Sequence, residues 1–256
     1  MFYSSNLKKI NQIRHCFFSR KNGNSLGIYK SLNCGKGSKD KKIFIKKNLN
    51  LVSKKMNIKR KLFLMYQTHS NKVMIITNKN KNLNKFKSDA IVTQLRGYGL
   101  GVVTADCVPI VLYDKKNHTI GCIHAGWKGA LSGIVENTIK TFKKISLNNE
   151  IFAAVGPCID KKSYEVDSNF YKEFILRSKK NKIYFLKKNK NKKLFDLRGY
   201  VTHKLLKLNI NVDHINLDTF KQKSNFFSYR RSQKKGETDY GRCISVISLT
   251  NFGQNY

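Results

Sequence analysis

Acidic residues are scarce in this sequence: 15 Asp and Glu stand against 51 Lys and Arg, a formal net charge of +36 over 256 residues. So basic a chain suggests a nucleic-acid partner. However, only nine of the 51 basic residues are Arg, and the Lys residues are mixed with Asn in runs such as 78–85 and 187–193. Because base edges and bidentate phosphate contacts favour Arg, the composition argues against specific nucleic-acid binding. It predicts solvated loops with a weak, salt-sensitive attraction to polyanions.

Long apolar runs are also missing. Residues 1–20 contain neither an apolar run of signal-peptide length nor a small-residue cleavage site, and no segment approaches the length of a membrane span. The six Cys are widely spaced and form no CxxC pair, unlike a disulfide framework or a zinc knuckle. We therefore expect a cytoplasmic protein without a membrane partner, in which most thiols are reduced and buried.

The residues that are present indicate a folded α+β protein. Apolar residues make up 40% of the chain, and neither an internal repeat nor a linker divides it, so we expect one domain over residues 1–256. Because several neighbouring strands are joined by tight turns, we predict mixed β-sheets flanked by helices in layers. Hydrophobic periodicity predicts strands in residues 61–77 (a pair around a polar corner), 88–93, 99–114 (a pair), 119–124 and 151–156. It predicts helices from about 129 to 144, in 165–178 and in 194–210.

Three potential metal ligands occur at the ends of predicted strands: His69, Cys107 and His124. One thiolate and two imidazoles suit zinc and leave a fourth position open, as in catalytic zinc sites. Cys107 and His124 could instead be the nucleophile and base of a thiol hydrolase, with the neighbouring Asp106 orienting the imidazole. A third hypothesis is that these are ordinary core side chains. Because the spacing matches no standard local zinc motif, the residues alone leave all three hypotheses open.

Two segments have the composition of anion-binding sites. In residues 121–133, GCIHAGWKGALSG, a strand leads into a helix whose first amides favour negative charge, with Lys128 adding a cation. The same glycines could equally form only the turn, with Trp127 in the core. Residues 226–242, FFSYRRSQKKGETDYGR, combine three of the nine Arg with aromatic residues. That cluster suits either a phosphate or carboxylate clamp or a surface ion-pair loop.

Eight short motifs occur in a characteristic order: QTHSNKV, SDAIVT, VVTADCVPIVLYD, IHAGWKG, AVGPCI, YEV, FDLR and FFSYRR. Together with the N-terminal FFSRKNGNSLGIYKSLNCG, they resemble the YfiH-type purine nucleoside phosphorylase family over nearly the whole chain. That family was formerly described as the laccase-domain or multicopper polyphenol oxidase family, and some of its relatives are linked to peptidoglycan editing. The resemblance implies that His69, Cys107 and His124 are catalytic and bind zinc.

Further site residues follow from the resemblance and the anion-binding segments. The candidate substrate- or phosphate-binding residues are Arg20, Asn48, Lys128 and Arg230. The first two match family positions near the substrate, and the last lies in the family's YRR element. The chain also departs from the pattern, with Asp218 where the family often has Cys and Gly199 in place of the usual Asn after DLR. These departures question substrate contacts from those two positions.

The activity implied by the resemblance is phosphorolysis of adenosine, inosine, guanosine or methylthioadenosine to free base and ribose 1-phosphate, with adenosine deamination as a second activity. Purine nucleosides and phosphate are the implied partners. Zn²⁺ is the implied cofactor, with copper as the family's second metal. Six separated His lack the HxH pairs of multicopper clusters, which argues against a polyphenol oxidase. Three further functions stay open: a metal-free Cys-His hydrolase, a peptidoglycan-precursor editing enzyme and a polyanion-binding protein.

Overall fold

The computed structural model describes residues 1–250. The β-strands are β1 (Ile13–Phe17), β2 (Leu62–Leu64), β3 (Val73–Ile76), β4 (Ala90–Thr93), β5 (Gly99–Thr104), β6 (Val108–Asp114), β7 (Thr119–Ala125), β8 (Ile151–Val155), β9 (Glu165–Asp167), β10 (Phe185–Lys187), β11 (Lys192–Phe195), β12 (Asn211–His214) and β13 (Cys243–Leu249). The α-helices are α1 (Ser5–Lys8), α2 (Lys42–Lys55), α3 (Trp127–Ser132), α4 (Ile134–Ile145), α5 (Ser168–Arg177), α6 (Leu197–Lys207) and α7 (Tyr229–Lys234). The strands predicted from the sequence are confirmed.

Three mixed or antiparallel sheets organise these strands. A four-stranded sheet has the order β1-β13-β5-β2, a six-stranded sheet the order β12-β8-β6-β7-β4-β3, and a small sheet the order β10-β11-β9. Three pairs are parallel (β2 with β5, β3 with β4 and β12 with β8), and the others are antiparallel. The predicted α+β class with mixed sheets is therefore confirmed.

The two large sheets pack face to face, with helices on their outer faces. Along β6, Val111 and Tyr113 pack between the sheets with residues of β5 and β13, whereas Ile110 and Leu112 face α4 and α6 on the other side. This alternation is the two-residue period of a strand, and all four positions are apolar because β6 is covered on both faces. On the outer face of the four-stranded sheet, Val52 of α2 completes the layers.

The helix predicted from about 129 to 144 is wrong as a single element. The chain forms α3 and α4 instead, and Gly133 between them has φ = 97°. This left-handed conformation ends α3 and is available to glycine at little cost, so the apolar spacing continues across a break in the backbone.

The other two predicted helices begin later than the sequence suggested. Residues 165–167 and 192–195 first pair as strands β9 and β11. Asp167 then accepts from the Phe170 amide, and Asp196 from the Gly199 amide, as N-caps of α5 and α6. Capping by an Asp side chain fixes where each helix starts.

The chain crossings bring the predicted ligands to one edge of the sheets. His69 lies in the connection between β2 and β3, which belong to different sheets. Cys107 lies in the short crossing from β5 to β6, again from one sheet to the other, and His124 lies at the end of β7. The site therefore depends on how the two large sheets pack.

Buried His15 on β1 makes the stability of this fold depend on pH. Its Nε2 accepts a hydrogen bond from the Ser4 amide at 2.9 Å, and burial lowers its pKa to about 4 against the opposing field of Asp213. An unfolded chain protonates His near pH 6.5, so His15 favours the folded state fully above that pH. We expect the free energy of unfolding to fall by up to about 3 kcal/mol between roughly pH 6.5 and pH 4.

Denaturant unfolding across that pH range measures the effect. His15→Gln keeps an acceptor for the Ser4 amide but does not titrate, so the variant should lose less stability on acidification than the wild type. His214, whose pKa burial also lowers, contributes equally to both proteins. Parallel pH profiles for the wild type and the variant would contradict the assignment to His15.

Candidate metal centre

The structure brings the three predicted ligands together. The ligand atoms of His69, Cys107 and His124 lie within 4.8 Å of one another. Cys107 Sγ is 3.8 Å from His69 Nε2, and the two imidazole rings meet edge to face with centroids 4.7 Å apart. In residues 1–250, this is the one group of three or more His, Cys, Asp or Glu placed to hold a metal ion.

Asp89, immediately before β4, orients two of these ligands. Its carboxylate is fully buried, and Oδ1 accepts from His124 Nδ1 at 2.8 Å and from the His69 amide at 3.0 Å. Oδ2 accepts from the amides of Ser70 at 2.7 Å and Thr68 at 3.2 Å, and from both hydroxyls. Burial raises the pKa of Asp89, but the hydrogen bonds from His124 and Ser70 outweigh it and hold the pKa well below its usual range. The carboxylate therefore keeps the proton on His124 Nδ1 and leaves Nε2 available to a metal.

The electrostatics at Cys107 favour a thiolate. Burial raises the pKa of its thiol, but His124 and His69 outweigh burial and lower the pKa to about 6. Burial lowers the pKa of His124, whereas Cys107 and Asp89 raise it to about 9. The other five Cys are buried free thiols with raised pKa values, as the sequence predicted for most of them. Cys107 is thus the thiol of this chain with the character of a ligand or nucleophile.

Unusual backbone geometry holds this arrangement. His69 has φ = 58° and Asp106 has φ = 83°, both in the left-handed region that non-glycine residues rarely occupy. At Gly126, a Cβ would lie 2.5 Å from His69 Cδ2 and 3.1 Å from Cys107 Sγ; at Gly129, it would lie 2.9 Å from the Ser70 carbonyl. Both glycines of the AGWKG segment therefore make room for the His69 loop.

The prediction that Asp106 could orient the imidazole is wrong. The Asp106 side chain accepts hydrogen bonds from the hydroxyls of Thr219 and Ser228 and from the Arg230 amide. These bonds anchor the start of α7 and do not include an imidazole. Asp89 instead orients the His124 imidazole, the role expected for Asp106. The signal was a lone Asp between Ser88 and the apolar strand β4, inside the SDAIVT motif.

Two cavities meet at the triad. The first, of about 400 Å³ and here called the aromatic cavity, is lined by His69, Ala105, Asp106, Cys107, Trp127, Ile159, Tyr164, Glu165, Val166, Asp167, Phe170, Lys192, Leu197, Tyr229 and Arg230. The second, of about 290 Å³ and here called the basic cavity, is lined by Cys34, Gly35, Lys36, Gly37, Leu64, Met65, Tyr66, Gln67, His69, Val103, Thr104, Ala105, Cys107, His124, Tyr240 and Arg242. His69 and Cys107 belong to both walls.

The donor set fits one transition-metal ion. A thiolate with two imidazoles suits zinc and other borderline-soft metals, and Asp89 supplies the carboxylate that often supports a metal-binding His. The residues that would hold the ion are His69, Cys107 and His124. Because cavities adjoin the triad, a coordination position would stay open to solvent or substrate.

Of the other predicted site residues, the structure brings Arg230 to the triad. Arg230 lines the aromatic cavity, and its guanidinium lies over the Tyr164 ring, 5.4 Å from the centroid. Lys128 is exposed, with Nζ 5.3 Å from the Trp127 ring centroid, and in the described chain it lines neither cavity. Trp127 itself lines the aromatic cavity and packs on Phe170.

Arg20 and Asn48 lie outside both cavity walls of the described chain. The Arg20 guanidinium donates to the carbonyls of Ile28, Lys30 and Lys223 and packs 4.1 Å from the Phe227 ring centroid. The Asn48 side chain is fully buried and bonds to the segment from Asn24 to Asn33. Both side chains hold loops together.

Asp218 and Gly199, the two residues that depart from the family pattern, each make contacts that support the fold. Asp218 accepts from the amides of Asp160 and Phe220 and from the Ser163 hydroxyl, so it fixes the loop after β8. At Gly199, a Cβ would lie 2.6 Å from Asp196 Oδ2, so this glycine leaves room for the N-cap of α6. Within residues 1–250, neither position lines either cavity.

Comparison with known proteins agrees with the geometry. A family model described as multi-copper polyphenol oxidoreductase laccase matches residues 14–250. The chain belongs to this laccase family. The purine nucleoside phosphorylase of Haemophilus influenzae is 32% identical over 237 residues, which cover 91% of this chain and 93% of the relative. The purine nucleoside phosphorylase YfiH of Escherichia coli is 28% identical over 224 residues, 86% of this chain and 89% of the relative.

Two solved structures have the same fold as this chain. YfiH from Bacillus licheniformis superposes with a TM-score of 0.85 at 26% identity and covers 94% of each chain. A protein from Neisseria meningitidis superposes with a TM-score of 0.84 at 26% identity, covering 94% of this chain and 96% of its own. The resemblance to the YfiH-type family inferred from the motifs is confirmed.

The number of metal sites in this chain differs from the number that the family description implies. The description names several copper ions, whereas the described residues contain one three-ligand group. Separately, no helix within residues 1–250 is long and apolar enough to cross a membrane.

Proposed function

We propose that this protein is a zinc-dependent purine nucleoside phosphorylase. It would convert adenosine, inosine, guanosine or methylthioadenosine and phosphate to free base and ribose 1-phosphate, with adenosine deamination as a second activity. One observation carries the proposal: His69 and Cys107 form a common wall between two cavities of different chemistry. The names of the relatives support the same activity.

The aromatic cavity suits a planar purine. Trp127 and Phe170 pack with ring centroids 4.7 Å apart, and Tyr164 meets Phe170 edge to face at 6.0 Å. A volume of about 400 Å³ is within the usual range for small-molecule sites, and aromatic walls bind flat ligands with few polar contacts. We therefore assign the base to this cavity.

The chain's own residues can then assist departure of the base. Burial raises the pKa of the Tyr164 hydroxyl well above its usual value, so the group remains a hydrogen-bond donor at neutral pH. Asp89 holds the His124 ring in place, and Gly126 lets the His69 loop approach Cys107 closely. A zinc ion bound by the triad would supply a Lewis acid that stabilises negative charge developing on the base.

A metal-free thiol hydrolase is the second candidate, because Cys107, His124 and Asp89 also have the order of a nucleophile, a base and an orienting carboxylate. The lowered pKa of Cys107 fits that chemistry as well. A thiol hydrolase needs one imidazole as its base, whereas a second imidazole, that of His69, lies here with Nε2 3.8 Å from Cys107 Sγ and is held by a left-handed backbone conformation. We therefore favour the metal.

Incubation of purified, zinc-loaded protein with inosine or adenosine, with and without phosphate, tests the proposal. Chromatography should show free base and ribose 1-phosphate only when phosphate is present, and inosine formed from adenosine would report deamination. If zinc-loaded protein forms neither base nor ribose 1-phosphate, the phosphorylase proposal is wrong.

A further inference from the structure

The two cavities differ in charge. The described residues that line the basic cavity include Lys36 and Arg242 but no Asp or Glu. The aromatic cavity has two cations as well, but three carboxylates line it: Asp106, Glu165 and Asp167. A small anion would therefore be stabilised more in the basic cavity, where no carboxylate among the described lining residues opposes the two cations.

Arg242 has donors to offer to such an anion. Its guanidinium stacks over the Tyr240 ring, 4.2 Å from the centroid, and Nη1 makes one backbone hydrogen bond, at 3.2 Å to the Tyr240 carbonyl. By contrast, Arg20 and Arg231 each donate to three backbone carbonyls. Arg242 also forms a side-chain hydrogen bond with Tyr240 and attracts the Asp239 carboxylate. Because a guanidinium has five N–H donors, donors that these contacts do not take remain for a ligand.

A buried amide ties Arg242 to the glycine loop that carries Lys36. Asn33 is fully buried, and its Oδ1 accepts from the Gly35 amide at 3.0 Å and from the Arg242 amide at 2.9 Å. The Ser38 hydroxyl donates to the Gly35 carbonyl at 2.7 Å and closes the loop. A Cβ at Gly35 would lie 2.8 Å from Arg242 Cδ, so the Arg side chain lies across this glycine. The two cations are thus placed by the fold.

We propose that the basic cavity is the phosphate subsite, in which Arg242 and Lys36 hold orthophosphate facing the nucleoside where the two cavities meet, at His69 and Cys107. This rests on the proposed phosphorylase function. An oxygen of hydrogen phosphate forms the bond to the anomeric carbon as the bond from that carbon to the base nitrogen breaks. The proton of hydrogen phosphate ends on the base, so the products are ribose 1-phosphate and neutral purine.

Separate measurements of phosphate and nucleoside affinity test this assignment. In zinc-loaded Arg242→Gln and Lys36→Gln, KM for phosphate should rise by about 10- to 100-fold, since each substitution removes charge-assisted hydrogen bonds. KM for inosine should change by less than about threefold, because the base lies in the other cavity. Lys39→Gln is the matched control: it removes one charge from the same loop, at an exposed position outside both walls of the described chain.

A binding experiment separates failure of the subsite from failure of the function. Phosphorus NMR follows orthophosphate added to zinc-loaded protein without nucleoside, and line broadening should occur with the wild type and Lys39→Gln but not with Arg242→Gln. An active enzyme with unchanged KM for phosphate in both cavity variants overturns the subsite. An inactive wild type that shows the expected broadening overturns the phosphorylase function and leaves the anion site.

The same chemistry could hold the phosphate of a nucleotide. Competition between orthophosphate and inosine 5′-monophosphate distinguishes the two sources. If inosine 5′-monophosphate displaces bound orthophosphate and the protein shows no phosphate-dependent turnover of inosine, orthophosphate is not the co-substrate that the basic cavity binds.

Discussion

Cys107→Ala is expected to lose the bound metal and the catalytic activity together. Four-ligand zinc sites bind with about 10–16 kcal/mol in total, or roughly 3 kcal/mol per ligand. Removal of one of three ligands should therefore weaken zinc binding on the order of 100-fold or more. Elemental analysis of purified protein and competition with a coloured chelator measure the loss, and turnover of inosine with phosphate measures the activity.

Cys16→Ala is the matched control for this variant. Cys16 is a buried thiol of the core beneath α2, and burial raises its pKa to about 11. Its removal should lower the free energy of unfolding by about 1–2 kcal/mol through a small cavity and leave zinc content unchanged. Equal zinc content in wild type and Cys107→Ala would rule out the proposed metal centre.

Chelation of the wild type decides between the metal and thiol mechanisms. Both mechanisms need Cys107, so loss of activity in Cys107→Ala does not separate them. A strong chelator should abolish turnover, and added Zn²⁺ should restore it, because the thiol is intact throughout. A chelated, zinc-free protein that keeps its activity and loses it on alkylation would support the thiol hydrolase instead.

Strands β2 to β8 were predictable because each carries a local signal, whereas β1 and β9 to β13 were not predicted, and β9 and part of β11 lie in segments predicted as helices. Apolar runs such as β6 and β7 contrast with the Lys- and Asn-rich segments around them, and their boundaries agree with the structure to within a few residues. The break between α3 and α4 at Gly133 was not predicted, because the spacing of apolar residues continues across it. The backbone conformation of one glycine does not change that spacing. Strand pairing between the sheets depends on contacts far apart in sequence, which periodicity does not contain.

The candidate site could likewise be predicted from the sequence only in part. His69, Cys107 and His124 stand in motifs whose residue types have metal chemistry, so the motifs predicted residues that the fold indeed brings together. Asp89 was not singled out, and Arg242 was predicted only as one of three Arg in the segment 226–242, because their roles depend on which neighbours surround them. Conversely, Asn48 has the residue type of a substrate contact, but its side-chain amide donates a hydrogen bond to the Asn33 carbonyl. Sequence identifies the chemistry that is available, and packing decides which groups are free to use it.

Asp89→Asn is expected to weaken metal binding by about 10- to 100-fold, the usual effect of losing a carboxylate behind a metal-binding His. Each carboxylate oxygen accepts from donors: Oδ1 from His124 Nδ1 and the His69 amide, and Oδ2 from groups of Thr68 and Ser70. An Asn amide must turn its NH₂ toward one of these sets. In one orientation it opposes His124, and in the other it opposes the Ser70 amide, so either a ligand or its loop is displaced.

Asp114→Asn provides the comparison that makes this a test of positioning. Asp114 is also fully buried, accepts from the side chains of Asn117 and Asn149 and from the Glu150 amide, and ends β6 at the strand terminus opposite Cys107. Both variants should lose thermal stability, because both leave buried donors unsatisfied. Only Asp89→Asn should change the affinity for Co²⁺ and the visible spectrum of the Co²⁺-loaded protein, since only Asp89 touches metal-binding residues. Equal Co²⁺ affinity and spectra in the two variants would mean that Asp89 acts through the stability of the fold, and that the His124 imidazole is oriented by the triad itself.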